Sequence, residues 1–232
     1  MRCRTCINVL AALILWTFAS PCRSALIFSD GFESPPLAAG TTAAVNADGW
    51  TSDAGTDAAV WFPSSPTADF NSVAPLAAPA DGNQLLTIVE ANQNVERAVG
   101  TIQAATLYTL TVAIGDRISD SGLHDWDIQL WAGGSTRQTF LGQTFRTDSG
   151  ANNPSAGNWA DNSVTFDSTT DPTVVGQNLF VLVGTYLTGS NPGQSYFDNV
   201  RVDATSVPEP AATALLTIAI AATLRRRNCA RY

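Results

Sequence analysis

Between Leu26 and Ser206 the chain has no cysteine and no lysine, and its single histidine is His124. Cys3, Cys6, Cys22 and Cys229 all lie outside that stretch. No disulfide can staple the body, and no thiol can serve it as nucleophile or metal ligand. Five arginines (Arg97, Arg117, Arg137, Arg146, Arg201) stand against nineteen Asp or Glu, a formal charge of −14. Phosphate binding needs a cationic surface, so nucleic acid is excluded as a partner. Such an acidic body suits divalent cations or neutral ligands. Catalytic chemistry is also thinly supplied. His124 is the one neutral-range base, no Gly-x-Ser-x-Gly nucleophile elbow occurs, and among nineteen acids any carboxylate pair can be nominated for glycoside hydrolysis. These absences predict a protein that is not an enzyme.

What is present is most ordered at the two ends. Arg2 and Arg4 precede an apolar core from Ile7 to Ala19, and Ser24-Ala25 offers small residues for cleavage, the layout of a secretory signal peptide over residues 1–25. At the other end Val207-Pro208-Glu209-Pro210 leads into an apolar run from Ala211 to Leu224, followed by Arg225-Arg226-Arg227. Fourteen residues at helical rise span roughly 21 Å, short of the roughly 30 Å of a bilayer core. The arginines hold that flank on the cytoplasmic side while the body is exported. The tail, 207–232, resembles the PEP-CTERM sorting signal in all three parts: the motif at 207–210, the short transmembrane helix at 211–224 and the basic end at 225–232. That resemblance implies processing by an exosortase after transient membrane anchoring, and delivery to the cell surface or extracellular matrix. The same type of tail occurs on some ice-binding proteins, though the body has no regular Thr-x-Thr array.

The remaining 26–206 is one domain with ample length for a core. Alternation is clearest from Leu107 to Ile114, where Tyr108, Leu110, Val112 and Ile114 are spaced by Thr109, Thr111 and Ala113. Further strands are expected at 26–29, 84–90, 95–103, 126–131, 138–146, 163–167, 179–187 and 196–203. Asp81-Gly82-Asn83, Gly133-Gly134, Asn152-Asn153-Pro154 and Asn191-Pro192-Gly193 punctuate them. Eight or nine strands separated by such turns predict an all-β, two-sheet sandwich of the jelly-roll kind. Leu179 to Val183 is apolar throughout and reads as a central strand covered on both faces. The Ala/Pro/Ser/Thr-rich stretch from Pro35 to Ala80 reads as long loops, with one or two strands near Trp50 and Val60 to Phe62.

Asp30-Gly31-Phe32-Glu33, Ala98-Val99-Gly100-Thr101-Ile102, Tyr108 to Gly115, Ile128 to Gly134 and Phe197-Asp198-Asn199-Val200-Arg201-Val202 together resemble galactose-binding-like jelly rolls, the fold of many carbohydrate-binding modules. The resemblance implies that the first and last strands lie side by side, with a structural Ca²⁺ near their ends and Glu33 and Asp198 as its carboxylates. The group Asp116, Asp120, Asp125 and Asp127 departs from the EF-hand spacing and reads as a solvated acidic loop.

Sugar rings lie on flat aromatics flanked by polar side chains. If Trp126, Ile128 and Leu130 point inward, then Asp127, Gln129 and Trp131 share the outer face, with Arg137 on the next strand. Trp50, Trp61 and Trp159, in loop-like surroundings, are secondary candidates. The expected function is thus that of an exported, non-enzymatic surface or matrix protein that binds glycans or exopolysaccharide. Its competitors are a structural matrix protein without a small ligand, a glycan-active hydrolase and an ice-binding protein.

Overall fold

A computed structural model describes residues 23–52, 58–64, 80–89, 92–117, 125–146, 153–185 and 194–207. The chain divides into two compact units, one comprising Ala25–Ala204 and the other Met1–Ser24 with Thr205–Tyr232. Among the described residues there are twelve strands: β1 (Ser24–Asp30), β2 (Thr42–Ala44), β3 (Thr51–Ser52), β4 (Ala58–Trp61), β5 (Leu85–Val89), β6 (Asn94–Thr101), β7 (Thr106–Gly115), β8 (Asp127–Gly133), β9 (Arg137–Phe145), β10 (Trp159–Asp167), β11 (Asn178–Gly184) and β12 (Gln194–Ser206). Two 3₁₀ turns, Val45–Asp48 and Pro172–Val174, are the helical elements among the described residues.

The strands form a two-sheet sandwich. The larger sheet runs β10-β7-β12-β5-β4-β2, with β1 also paired to β12, and the smaller runs β3-β6-β11-β8-β9. All nine strands expected from alternation are present. Period-two patterning places Tyr108, Leu110, Val112 and Ile114 of β7 inward, each at most 1% exposed. They meet Val95 of β6, Ile128 and Leu130 of β8, and Leu179, Val181 and Val183 of β11 in one core. Burying each such side chain contributes about 1.5–3 kcal/mol, which is the main support of a body without disulfides. β11 is central in its sheet, and Phe180 and Leu182, on the face away from that core, are buried too. That explains its unbroken apolar run.

The two sheets also meet along one edge. Thr144 on β9 donates its hydroxyl proton to the Ser163 carbonyl on β10 at 2.8 Å, and a Cβ added at Gly142 would stand 3.1 Å from Val164.

The strands expected near Trp50 and Val60 are β3 and β4; the 35–80 stretch adds β2, and β4 lies inside the larger sheet between β5 and β2. Two expectations are corrected. Trp61 ends β4 and Trp159 begins β10, so neither is a loop residue. Trp50 is 2% exposed and packs on Phe32 with ring centroids 5.5 Å apart, so it is core and offers no binding surface. The expected helix at 211–224 and the motif residues Pro208, Glu209, Pro210, Arg225, Arg226 and Arg227 lie outside the described residues, and no helix among those described is long and apolar enough to cross a membrane.

Candidate functional site

Where β1 ends, the Asp30-Gly31-Phe32-Glu33 segment ties three parts of the fold together. The Asp30 carboxylate accepts the Phe32 backbone N–H at 2.8 Å, the Trp50 indole N–H at 2.9 Å and the Arg97 guanidinium at 2.8 Å. Arg97 is on β6, so this one carboxylate links the two sheets. Phe32 takes a left-handed φ of 58° and is fully buried. Glu33 Oε1 then accepts the backbone N–H groups of Asn83 and Gln84 at 2.6 and 2.7 Å. Gly82, at φ 65°, is required there twice over: the conformation is left-handed, and a Cβ would collide with the Glu33 carboxylate.

Asp198 on β12 reaches the same turn, accepting the backbone N–H of Asp81 at 2.7 Å and that of Asn199 at 2.6 Å. Burial pushes its carboxyl up to about 8 against the pull of these hydrogen bonds, and the negative charges of Asp81 and Glu33 add to the rise. The sequence-chosen pair Glu33 and Asp198 is thus brought to one turn, with Asp81 as a third carboxylate. Among the described residues, however, no group of three or more His, Cys, Asp or Glu is arranged to hold a metal ion.

The outer face of the smaller sheet assembles the four residues nominated from β8 and β9. Asp127, Gln129 and Trp131 alternate with buried Ile128 and Leu130. Gln129 donates to Asp127 through its amide nitrogen and accepts the Trp131 indole N–H at 2.6 Å. The Arg137 guanidinium lies 5.6 Å from the Trp131 ring centroid, and Phe140 meets that ring edge-on at 5.2 Å. Arg137 also forms an ion pair with Glu96 at 3.1 Å. Trp131 is half-buried, clasped between Phe140 and Arg137 where a flat exposed platform was expected. Asp127 is 2% exposed, and burial raises its carboxyl above the ordinary range against the lowering by Gln129 and Arg137. The solvated acidic loop is therefore corrected: Asp116 and Asp127 are buried, Asp125 sits 3.5 Å from Arg146, and Asp120 lies outside the described residues.

A second aromatic face lies on the outside of the larger sheet. Leu85, Ala113, Trp159 and Tyr196 form a buried cluster separate from the main core, with Trp61 and Ala80 packed against it. Register explains the gathering. Trp61 on β4 is opposite Leu85 on β5, Thr87 on β5 is opposite Tyr196 on β12, and Trp159 on β10 is opposite Gly115 on β7. Trp61 and Tyr196 have ring centroids 6.1 Å apart, and the Arg117 guanidinium lies 5.4 Å from the Trp61 ring centroid. Tyr196 donates its hydroxyl proton to Gln194 Oε1 at 2.7 Å. A Cβ at Gly115 would stand 2.9 Å from the Trp159 ring, so the missing side chain is what lets that indole lie across the sheet. The result is an aromatic stripe over five strands, with Trp61 and Trp159 towards its ends and small residues between. Sequence reading passed over Tyr196, Leu85 and Ala113. The signal within reach was the pair of small outward residues, Ala113 and Gly115, that interrupts the threonines of β7.

Two antiparallel sheets packed face to face, with a second buried aromatic cluster on the outer side of the larger one, define an all-β sandwich. Residues 24–203 match the family model described as HpiC1-like, HpiC1 cyclase, and the chain belongs to this family. Among solved structures it is similar to the apo form of a cyclase from Fischerella sp., with 23% identity and a TM-score of 0.64 over 80% of this chain and 98% of that one. It is similar also to the Stig cyclase Fisc from Fischerella sp. TAU in complex with (3Z)-3-(1-methyl-2-pyrrolidinylidene)-3H-indole, with 21% identity and a TM-score of 0.64 over 80% of this chain and all (100%) of that one. A cyclase from the same source in complex with 4-(1H-indol-3-yl)butan-2-one matches at 22% identity and a TM-score of 0.63, covering 80% of this chain and 100% of that one. At these identities the likeness shows the shared fold. No curated protein matches the chain.

The family finding overturns the functional expectation drawn from sequence. Neither a PEP-CTERM surface protein nor a carbohydrate-binding module describes the chain, and the family is one of enzymes. The inference from scarce His, Cys and Lys failed because it searched for hydrolytic machinery. Ring closure within one molecule calls first for a shaped apolar surface that folds the substrate onto itself.

Proposed function

We propose that the protein is a cyclase acting on an indole-bearing substrate, and that the aromatic stripe of the larger sheet is where the indole lies. The observation that carries this reading is the placement of Trp61, Tyr196 and Trp159 on one buried face, with the small Ala113 between them and the Trp159 ring lying over Gly115. A flat bicyclic ring gains from offset or edge-on contact with such side chains, and the Arg117 guanidinium adds a cation against the π-system at one end. Walls of this kind exclude water and hold a flexible chain near the geometry of bond formation. The indole ligands held by two of the similar cyclases support the choice of substrate class. An arginine-led apolar leader and a cysteine-free body support an extracytoplasmic location.

The reading includes a structural calcium ion. Calcium takes hard oxygen donors, and Asp198 and Glu33, with backbone carbonyls completing the shell, would hold it beside the Asp81–Gln84 turn. The fit rests on one feature: negative charges crowd a fully buried carboxyl, and a dication would relieve them. Bound there, calcium would supply the positive charge that keeps these carboxylates ionised.

Calorimetric titration with 4-(1H-indol-3-yl)butan-2-one tests the site. Trp61→Ala and Trp159→Ala are each expected to weaken binding about 10- to 100-fold, as loss of one aromatic contact does, while Trp131→Ala leaves it unchanged. Ring-closed product, followed by chromatography and NMR with an indole-bearing open-chain substrate, should fall in the same two variants. Binding that survives both stripe substitutions but is lost in Trp131→Ala would move the site to the other sheet.

A further inference from the structure

A threonine hydroxyl stands among the aromatic rings of the stripe. Thr87 lies on β5 between two directly paired neighbours, Ala59 on β4 and Tyr196 on β12. Leu86 and Ile88 enter the main core, so Thr87 shares the outer face with Leu85. It is 7% exposed, and among the described residues its Oγ1 has no hydrogen-bond partner. A buried hydroxyl left unpaired opposes folding, and valine would fill the same volume with the same β-branched fit to a strand and no polar atom. A stripe selected for packing alone has no use for threonine at this position.

We propose that Thr87 Oγ1 is the polar recognition point of the stripe, accepting the ring N–H of a 1H-indole substrate and so fixing which way round the bicyclic ring lies between Trp61 and Trp159. The proposal rests on the cyclase reading of this face and deepens it. Apolar walls bind a flat ring in several orientations, whereas one hydrogen bond from the ring nitrogen selects among them. The stripe then discriminates by the N–H and not by ring shape. Sites that pair a substrate N–H reject analogues lacking it, because the protein group is again left without a partner.

The test compares two probes, 4-(1H-indol-3-yl)butan-2-one and its benzothiophene analogue, in which sulfur replaces the ring N–H. Wild-type protein is expected to bind the indole about 2- to 13-fold more tightly, the range of one neutral hydrogen bond. Thr87→Val should bind both probes equally and melt no lower than wild type. Thr87→Ser, which keeps the hydroxyl, should retain the preference. Discrimination that persists in Thr87→Val overturns the proposal, as does a lowered melting temperature there, which would reveal a structural partner for the hydroxyl. The reading beneath it fails separately. If wild type binds neither probe, or if Trp61→Ala and Trp159→Ala bind as wild type does, the stripe is not the indole site and the assignment of Thr87 falls with it.

Discussion

Replacing Asp30 with alanine is expected to destabilise the domain by about 3 kcal/mol or more, the largest effect of any single substitution outside the hydrophobic core. The carboxylate accepts three hydrogen bonds, from Phe32 N–H, the Trp50 indole and the Arg97 guanidinium, at 2.8 to 2.9 Å. Its side chain is only 7% exposed. Removing it leaves a buried indole N–H and a guanidinium facing a void between the two sheets. Arg97, at 28% exposure, can turn partly to water, which places the cost at the lower end for a broken ion pair. It also loses the anchor that holds it 5.1 Å from the Phe28 ring centroid. Asp30→Asn keeps the shape and one acceptor oxygen, and should fall between wild type and alanine. Urea unfolding followed by circular dichroism measures both, and a loss below about 1 kcal/mol for alanine would show that the three contacts carry little net energy.

The second large effect is a pH dependence of unusual sign. Asp198 moves from an ordinary 3.8 to about 8 on folding, through burial first and then the charges of Asp81 and Glu33. The folded state therefore holds this proton more tightly than the unfolded chain does. Stability from the group is present below the unfolded value and declines as pH rises from about 4 to about 8. Asp127, raised by burial, contributes in the same direction. In chelator the domain is expected to melt several degrees lower at pH 8 than at pH 5. Calcium should reverse this at the higher pH, since ligand at about 100 times its dissociation constant adds roughly 2.7 kcal/mol. Asp198→Asn removes the ionising group and should abolish the calcium response, leaving only the part of the slope due to Asp127. A melting temperature indifferent to calcium and chelator at both pH values would remove the metal from this turn.

Much of the sandwich was legible because its determinants are local. Alternation in β7 and β8 fixed which side chains turn inward, and the uniform Leu179–Val183 run marked β11 as central. The outer face bearing Asp127, Gln129, Trp131 and Arg137 followed from the same two-residue period. β2, β3 and β4 were harder to read because they are two to four residues long in an Ala- and Thr-rich stretch too short to show a period. The aromatic stripe was hidden for a different reason. Trp61, Leu85, Ala113, Trp159 and Tyr196 come from five strands, and only the order β10-β7-β12-β5-β4 puts them side by side. No window along the chain contains that order. The turn at Asp81–Gln84 was half legible: Glu33 and Asp198 were expected to meet there, but the part played by backbone amides, which occupy both carboxylates, has no signature in side-chain spacing.

The contact between β9 and β10 bears on how the protein behaves when concentrated. An exposed strand edge presents unpaired N–H and C=O groups on which a second chain can add, the usual beginning of fibrous assembly. Here the two long strands that terminate the sheets lie against each other, joined by the Thr144 hydroxyl and the Ser163 carbonyl. At the other ends of the two strand orders, β2 and β3 have three and two residues and give little on which to build a ladder, while β1, paired to β12, is a further edge of seven residues. Opening the β9/β10 seam, as Gly142→Val would do by driving a branched side chain towards Val164, should therefore free two long edges on which further chains can add.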